Sequence, residues 1–177
     1  MPSSYLLALL PPPELAARVQ AFHVAHALRD AAAVPHITVK ARSGLDAELT
    51  WAQRAREAIA AHPPVTVTIG GPRLFGNGSA LYLHVDSPDA VRLHVALLDA
   101  IQPTQRFGYE GPHMTPHLSV ALARKGVDLP ALLAEAQVIF ADLEADPVTF
   151  TAPGVALMRK PGPGGVYAPV EAWPLGG

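Results

Sequence analysis

A five-residue pattern occurs twice in this chain, as Pro35-His36-Ile37-Thr38-Val39 and as Pro116-His117-Leu118-Ser119-Val120, and no other feature constrains the fold as strongly. In each copy a proline precedes alternating polar and apolar residues, the period-2 signature of a strand with one buried face. His36, Thr38 and Lys40 then share one face of the first strand, and His117 and Ser119 share one face of the second. The two histidines lie 117 − 36 = 81 positions apart in a chain of 177. Each copy follows a helical stretch and begins a strand, so the repeat predicts two similar lobes that each lend one strand to a shared cleft. One match is expected by chance about 0.02 times in a chain of this composition, which makes two copies hard to assign to coincidence.

The rest of the chain reads as mixed α+β. Ser4 to Leu10 is a short apolar run closed by prolines and is expected as a strand. Glu14 to Asp30 carries apolar residues at helical spacing behind Pro12-Pro13, which suits a helix entrance. A second helix is expected over Asp46 to Ala61, then a hairpin of Val65 to Gly70 with Ala80 to Val85, then a helix from Pro88 to Ile101. A loop rich in proline, glycine and aromatic residues, Gln102 to Pro116, leads into the strand His117 to Leu122. Leu129 to Phe140 reads as a helix, and Val148 to Phe150, Val155 to Arg159 and Val166 to Ala172 read as strands. The last two are joined by the turn-forming run Pro161-Gly162-Pro163-Gly164-Gly165.

Composition narrows the chemistry. Half of the residues are hydrophobic, enough for residues 1–177 to form one domain with its own core. There is no cysteine, which removes disulfides, thiolate metal sites and cysteine nucleophiles. The apolar run Tyr5 to Leu10 lacks the basic flank of a signal peptide, and no stretch reaches the length of a membrane helix, so a cytoplasmic protein without membrane contact is expected. A net charge of −2 does not suit a protein that grips long nucleic acid, so an RNA partner would be met at an end or as a short piece.

Two strands that each present an imidazole beside a hydroxyl supply the parts for phosphodiester cleavage. Imidazole titrates near neutral pH, so one histidine accepts a proton from the attacking oxygen while the other gives one to the departing oxygen. The hydroxyls of Thr38 and Ser119 donate to non-bridging oxygens as charge builds on them. The scheme needs neither a metal nor a cofactor.

These paired His-x-Thr/Ser-x motifs resemble the two-histidine phosphoesterase superfamily, which includes 2′-5′ RNA ligases and RNA 2′,3′-cyclic phosphodiesterases. The resemblance spans nearly the whole chain. It implies a bilobal α+β fold of two pseudo-symmetric lobes, with antiparallel sheet inside, helices outside and an active site in the central cleft. It also implies a catalytic set of His36, Thr38, His117 and Ser119, and an RNA 3′ end or cyclic nucleotide as substrate. By the same analogy His117 is the base and His36 the acid. Leu122 stands where many 2′-5′ RNA ligase-type proteins carry an arginine, five residues after the second histidine; Arg124 is the nearest arginine and Lys40 the substitute on the motif face. The rival reading is a non-catalytic protein that binds RNA ends or nucleotides in the same pocket. No protein partner is implied and a monomer is expected.

The other histidines read as bland. His23, His26, His62, His84 and His94 are expected at surface or boundary positions. His113 and His117 have the i,i+4 spacing of a metal-binding helix, but Pro112 and Pro116 argue against a helix there. His113 remains a candidate for the pocket wall, and Tyr109 and Phe75 are candidates to stack on a base.

Overall fold

Proline starts three of the helices that cover the sheet. It stands in the first turn of α1 (Pro13–Ala25), α3 (Pro88–Ile101) and α4 (Leu129–Ile139), where its fixed φ fits and its missing N–H costs nothing. The Ser87 side chain caps α3 by accepting from Ala90 N–H, and Asp128 caps α4 by accepting from Ala131 N–H. The computed structural model describes residues 2–28 and 34–176. Its remaining elements are β1 (Ser4–Leu9), β2 (Ile37–Lys40), α2 (Ala52–Ala61), β3 (Val65–Leu74), β4 (Ala80–Asp86), β5 (His117–Leu122), α5 (Ala141–Ala145), β6 (Val148–Ala152), β7 (Gly154–Lys160) and β8 (Ala168–Pro174).

Two helices are shorter than their periodicity predicts. α1 stops at Ala25 because Ala27 takes a left-handed φ of 51°, with Ala27 N–H bonded to Val24 O and Leu28 N–H to His23 O. That is the closing pattern of a helix C-terminus with alanine where glycine is usual. The expected end at Asp30 lies outside the described residues. α2 begins six residues after the expected Asp46, because Leu49 has a φ of 61° and the Asp46 carboxylate is held by Thr50 through both its N–H and its hydroxyl. The short helix α5 was not expected from the sequence.

All strand pairs are antiparallel and form one eight-stranded sheet, in the order β6-β3-β4-β5-β2-β1-β7-β8. The expected pseudo-symmetry is visible in that order. Motif strands β5 and β2 are central neighbours, flanked by β4 and β1, then by β3 and β7, then by β6 and β8. Each half is therefore a four-stranded unit, and the seam between them is the single described pair Ile37↔Leu118. The repeats also exchange strands: β3 follows the first motif in sequence yet pairs with β4 in the second half, while β7 follows the second motif yet pairs with β1 in the first. The helices cover one face of the sheet, where Ile37, Val39, Leu118 and Val120 join the main core with Leu15, Val19 and Leu93. Among the described residues, no helix is long and apolar enough to cross a membrane.

Candidate active site

The Ile37↔Leu118 pair joins the central residues of the two motifs. Stepping outward by one in opposite directions, as an antiparallel ladder requires, sets Thr38 across from His117 and His36 across from Ser119. Ile37 and Leu118 are both fully buried against the helices, so their neighbours project from the other face of the sheet. The four motif side chains are thereby brought together around a local twofold centre.

Each imidazole is oriented by the same local bond. His36 Nδ1 lies 2.8 Å from Val34 O, and His117 Nδ1 lies 3.0 Å from Thr115 O. A carbonyl only accepts, so Nδ1 carries the proton and Nε2 of the neutral ring keeps its lone pair for chemistry. Burial lowers the pKa of both rings below the ordinary histidine value, against the opposing pull of those carbonyls. The charge of His117 lowers His36 further. The His117 ring also meets Phe75 edge-on at 4.8 Å and Tyr82 at 5.7 Å, and Phe75 stacks on Tyr82 at 4.2 Å. Position and tilt of the second histidine are thus set by two aromatic walls, and Phe75, a candidate for base stacking, faces His117.

Two further histidines brace the motifs from behind. His23 on α1 places Nε2 2.7 Å from Val120 O, and His94 on α3 places Nδ1 2.7 Å from Val39 O. These are the closing residues of the second and first motifs. α1 leads into the first motif but braces the second, and α3 does the reverse, so the bracing crosses the seam. His94 Nε2 in addition accepts from Gly111 N–H at 3.0 Å, which fixes the neutral tautomer with Nδ1 protonated. Burial lowers the His94 pKa in agreement with that role. Both were expected at surface or boundary positions and both are buried. The legible signal was their place on the apolar stripes Leu15-Val19-Phe22-His23 and Ala90-Leu93-His94-Leu97. His94→Leu is expected to strand the Val39 carbonyl and the Gly111 N–H at a cost of about 1–3 kcal/mol for each group, read as a lowered urea midpoint.

A pocket of about 210 Å³ opens beside Thr38 and His117, with Leu6, Phe107, Tyr109 and Tyr167 among its walls and Arg42 at its edge. Lys40, expected to reach a substrate phosphate, is instead enclosed. Its ammonium donates to Ala41 O, Ser43 O, Ser43 Oγ and Glu110 Oε1, and neither it nor the Glu110 side chain is exposed. The strand ends at Lys40 and the chain bends back over its side chain, which period-2 reasoning does not foresee. Arg124 lines separate depressions with Gly126 and Asp128, and exposed His113 is not among the residues that line the pocket. Arg42 and Glu110 were missed by the sequence reading. Among the described residues, no three histidine, aspartate or glutamate side chains cluster as metal ligands.

The sequence model of the 2′-5′ RNA ligase superfamily matches residues 11–164. The chain belongs to that superfamily. The fold is similar to TT0787 of Thermus thermophilus, at 21% identity and a TM-score of 0.64 over 98% of both chains. It is also similar to E. coli LigT solved with phosphate (17%, 0.63, 99% of both chains) and with 3′-AMP (16%, 0.62, 100% of both). At these identities the likeness concerns the fold alone. Among curated proteins, none matches the chain. Superfamily membership makes the chain related to phosphoesterases and ligases, and the two motifs fall inside the matched segment.

Proposed function

We propose that this superfamily member is a metal-independent 2′,3′-cyclic phosphodiesterase that opens the cyclic phosphate of an RNA end or nucleotide with water, and that the same ring opening by a 5′-hydroxyl in place of water gives 2′-5′ ligation. The observation that carries the reading is the Ile37↔Leu118 register, which opposes one imidazole-hydroxyl pair to the other across a single seam. Water attacks phosphorus as it gives its proton to Nε2 of His117. The P–O bond to the sugar breaks on the opposite side, and the departing oxygen takes a proton from Nε2 of a charged His36. Thr38 and Ser119 donate to the non-bridging oxygens while negative charge accumulates there. Both proton transfers are met by side chains of the chain itself. The structures of E. coli LigT with phosphate and with 3′-AMP support a ligand of this kind in the shared fold.

The deciding experiment incubates EDTA-treated protein with adenosine or uridine 2′,3′-cyclic phosphate and with oligonucleotides bearing that end. Turnover to a phosphomonoester is expected; none on any of these substrates would overturn the reading.

The pH dependence follows from the lowered imidazoles. The acid must be charged in the free enzyme, and burial disfavours the charged form of both rings. Whichever histidine serves as acid, its proton is lost below the ordinary value of about 6.5. A plot of kcat/KM against pH is therefore expected as a bell whose alkaline limb falls on the acid side of 6.5. A limb centred well above neutrality would contradict the electrostatics of the site.

A further inference from the structure

We infer that the pocket beside Thr38 and His117 seats the terminal nucleoside of an RNA strand, and that Arg42 at its edge takes the phosphate on the 5′ side of that nucleoside. The preferred substrate is then an oligonucleotide end rather than a free cyclic mononucleotide. The inference rests on the phosphoesterase reading only in placing the scissile phosphate at the two histidines.

The pocket has the chemistry of a nucleobase site. Phe107 and Tyr109 stack with centroids 5.6 Å apart and planes 24° from parallel, and the Arg42 guanidinium lies 5.2 Å from the Phe107 centroid. Tyr109 is 58% exposed, a large ring open to solvent at a pocket wall, and such rings serve as stacking platforms for bases. At about 210 Å³ the pocket is smaller than the usual ligand cavity, so it encloses a fragment and leaves the rest of a longer ligand outside.

Arg42 marks where that ligand continues. It lines the pocket and also a second, more polar depression of about 490 Å³ formed by residues 42–46, Thr50, Trp51, Arg54 and residues 101–105. Among the described residues it makes no ion pair. Arg54 lines the same depression and donates to Ala100 O and Ile101 O. The acid there, Asp46, has its carboxylate held by Thr50. Two cations against one carboxylate give the depression a net positive lining beside an aromatic pocket, in a chain of net charge −2. Of the two cations, Arg54 is already bonded to carbonyls, while Arg42 makes no ion pair among the described residues.

The platform is built before any ligand arrives. Glu110 accepts from Lys40 Nζ, Ser43 Oγ and Phe107 N–H, tying the aromatic loop to the segment that carries Arg42. Gly44, with a φ of 71°, lets that loop approach closely; a Cβ there would lie 2.6 Å from Pro103 Cβ and 2.7 Å from Gln105 O.

The test measures binding as well as turnover. Calorimetry compares adenosine 3′-monophosphate with adenosine 3′,5′-bisphosphate on the wild type, Arg42→Gln and Tyr109→Ala. The bisphosphate is expected to bind about tenfold tighter to the wild type, from one charge-assisted contact. Arg42→Gln is expected to erase that gain and leave the monophosphate within about twofold, whereas Tyr109→Ala weakens both ligands about tenfold or more. Equal affinity of the wild type for the two ligands, no binding of either, or an equal loss of both in Arg42→Gln would overturn the 5′-phosphate site. Unchanged binding in Tyr109→Ala would overturn the base site. Hydrolysis of uridine 2′,3′-cyclic phosphate and of the dinucleotide with the same end separates the two readings. A bisphosphate preference in a protein that hydrolyses neither sinks the enzyme and keeps the subsite, and equal kcat/KM for both substrates sinks the subsite alone.

Discussion

Alanine at His36 or at His117 is expected to lower kcat/KM on a 2′,3′-cyclic phosphate by about 10²–10⁴-fold, the range that a single general acid or base contributes. The expectation is specific because the rest of the site stays in place. Each imidazole bonds to a carbonyl two residues earlier in its own segment, so its loss leaves the Ile37↔Leu118 seam intact. The urea midpoint should move little in His36→Ala, since the bond that orients that ring ties it to no other element of the fold. The two losses should not multiply. One histidine takes a proton only to good effect if the other gives one, and groups that act as a unit show double substitutions scarcely worse than the worst single. A double variant slower than either single by a further factor of about 10² or more would mean that the histidines act independently, and facing acid and base would be the wrong account. Equal activity in wild type and both singles would remove the motifs from the chemistry altogether.

The motif histidines were legible because their signal is doubled. A single imidazole beside a hydroxyl on a strand says little, whereas two copies at half-chain spacing predict the pseudo-twofold order that the sheet shows. The sequence of strands and helices was legible for a simpler reason: period 2 and period 3.6 separate cleanly in α3 and β5, whose boundaries agree with expectation at both ends. What escaped lies where periodicity ends or is ambiguous. Ala27 occupies a left-handed position that pattern reading reserves for glycine, so α1 was read too long. His23 and His94 sit on apolar stripes as single polar residues, and a stripe interrupted once reads the same whether the residue is buried or at its border. Arg42 lies in the bend after β2 and Glu110 in an irregular loop, where no repeat assigns a direction to a side chain. The tie between their two segments depends on stretches remote in sequence meeting over the sheet, which no local pattern encodes.

Glu110→Gln is expected to cost about 3–5 kcal/mol, because it keeps the shape of the side chain and removes only the charge that neutralises a buried ammonium. Lys40 has no solvent to turn to: its other bonds go to Ala41 O, Ser43 O and Ser43 Oγ, which are dipoles and not charges. Burial already lowers the Lys40 pKa from 10.5 and Glu110 opposes that shift. On the other side, the bonds from Lys40 and Ser43 outweigh burial and hold the Glu110 carboxyl below its ordinary range, so the wild-type pair is ionic at neutral pH. Without the carboxylate, loss of the Lys40 proton sets the upper limit of that cost. Giving up a proton at pH 7 from a group of ordinary pKa 10.5 limits the loss to about 5 kcal/mol. The sign of the pH dependence follows. From the lowered Lys40 pKa of the folded variant up to 10.5, the unfolded variant binds a proton that the folded variant does not, so over that window its stability rises with pH by about 1.4 kcal/mol per unit relative to wild type. In a chain of 177 residues the initial loss corresponds to a melting temperature lower by roughly 6–20 °C. Thermal unfolding of both proteins from about pH 7 to 10 measures it. A gap between them that stays constant with pH would show that Lys40 keeps its charge in the variant, and a gap of zero at neutral pH would show that solvent reaches the pair. The same loop carries Phe107 and Tyr109, so a variant that stays folded should show a raised KM with kcat largely kept, because the histidine pair on the central strands is anchored elsewhere.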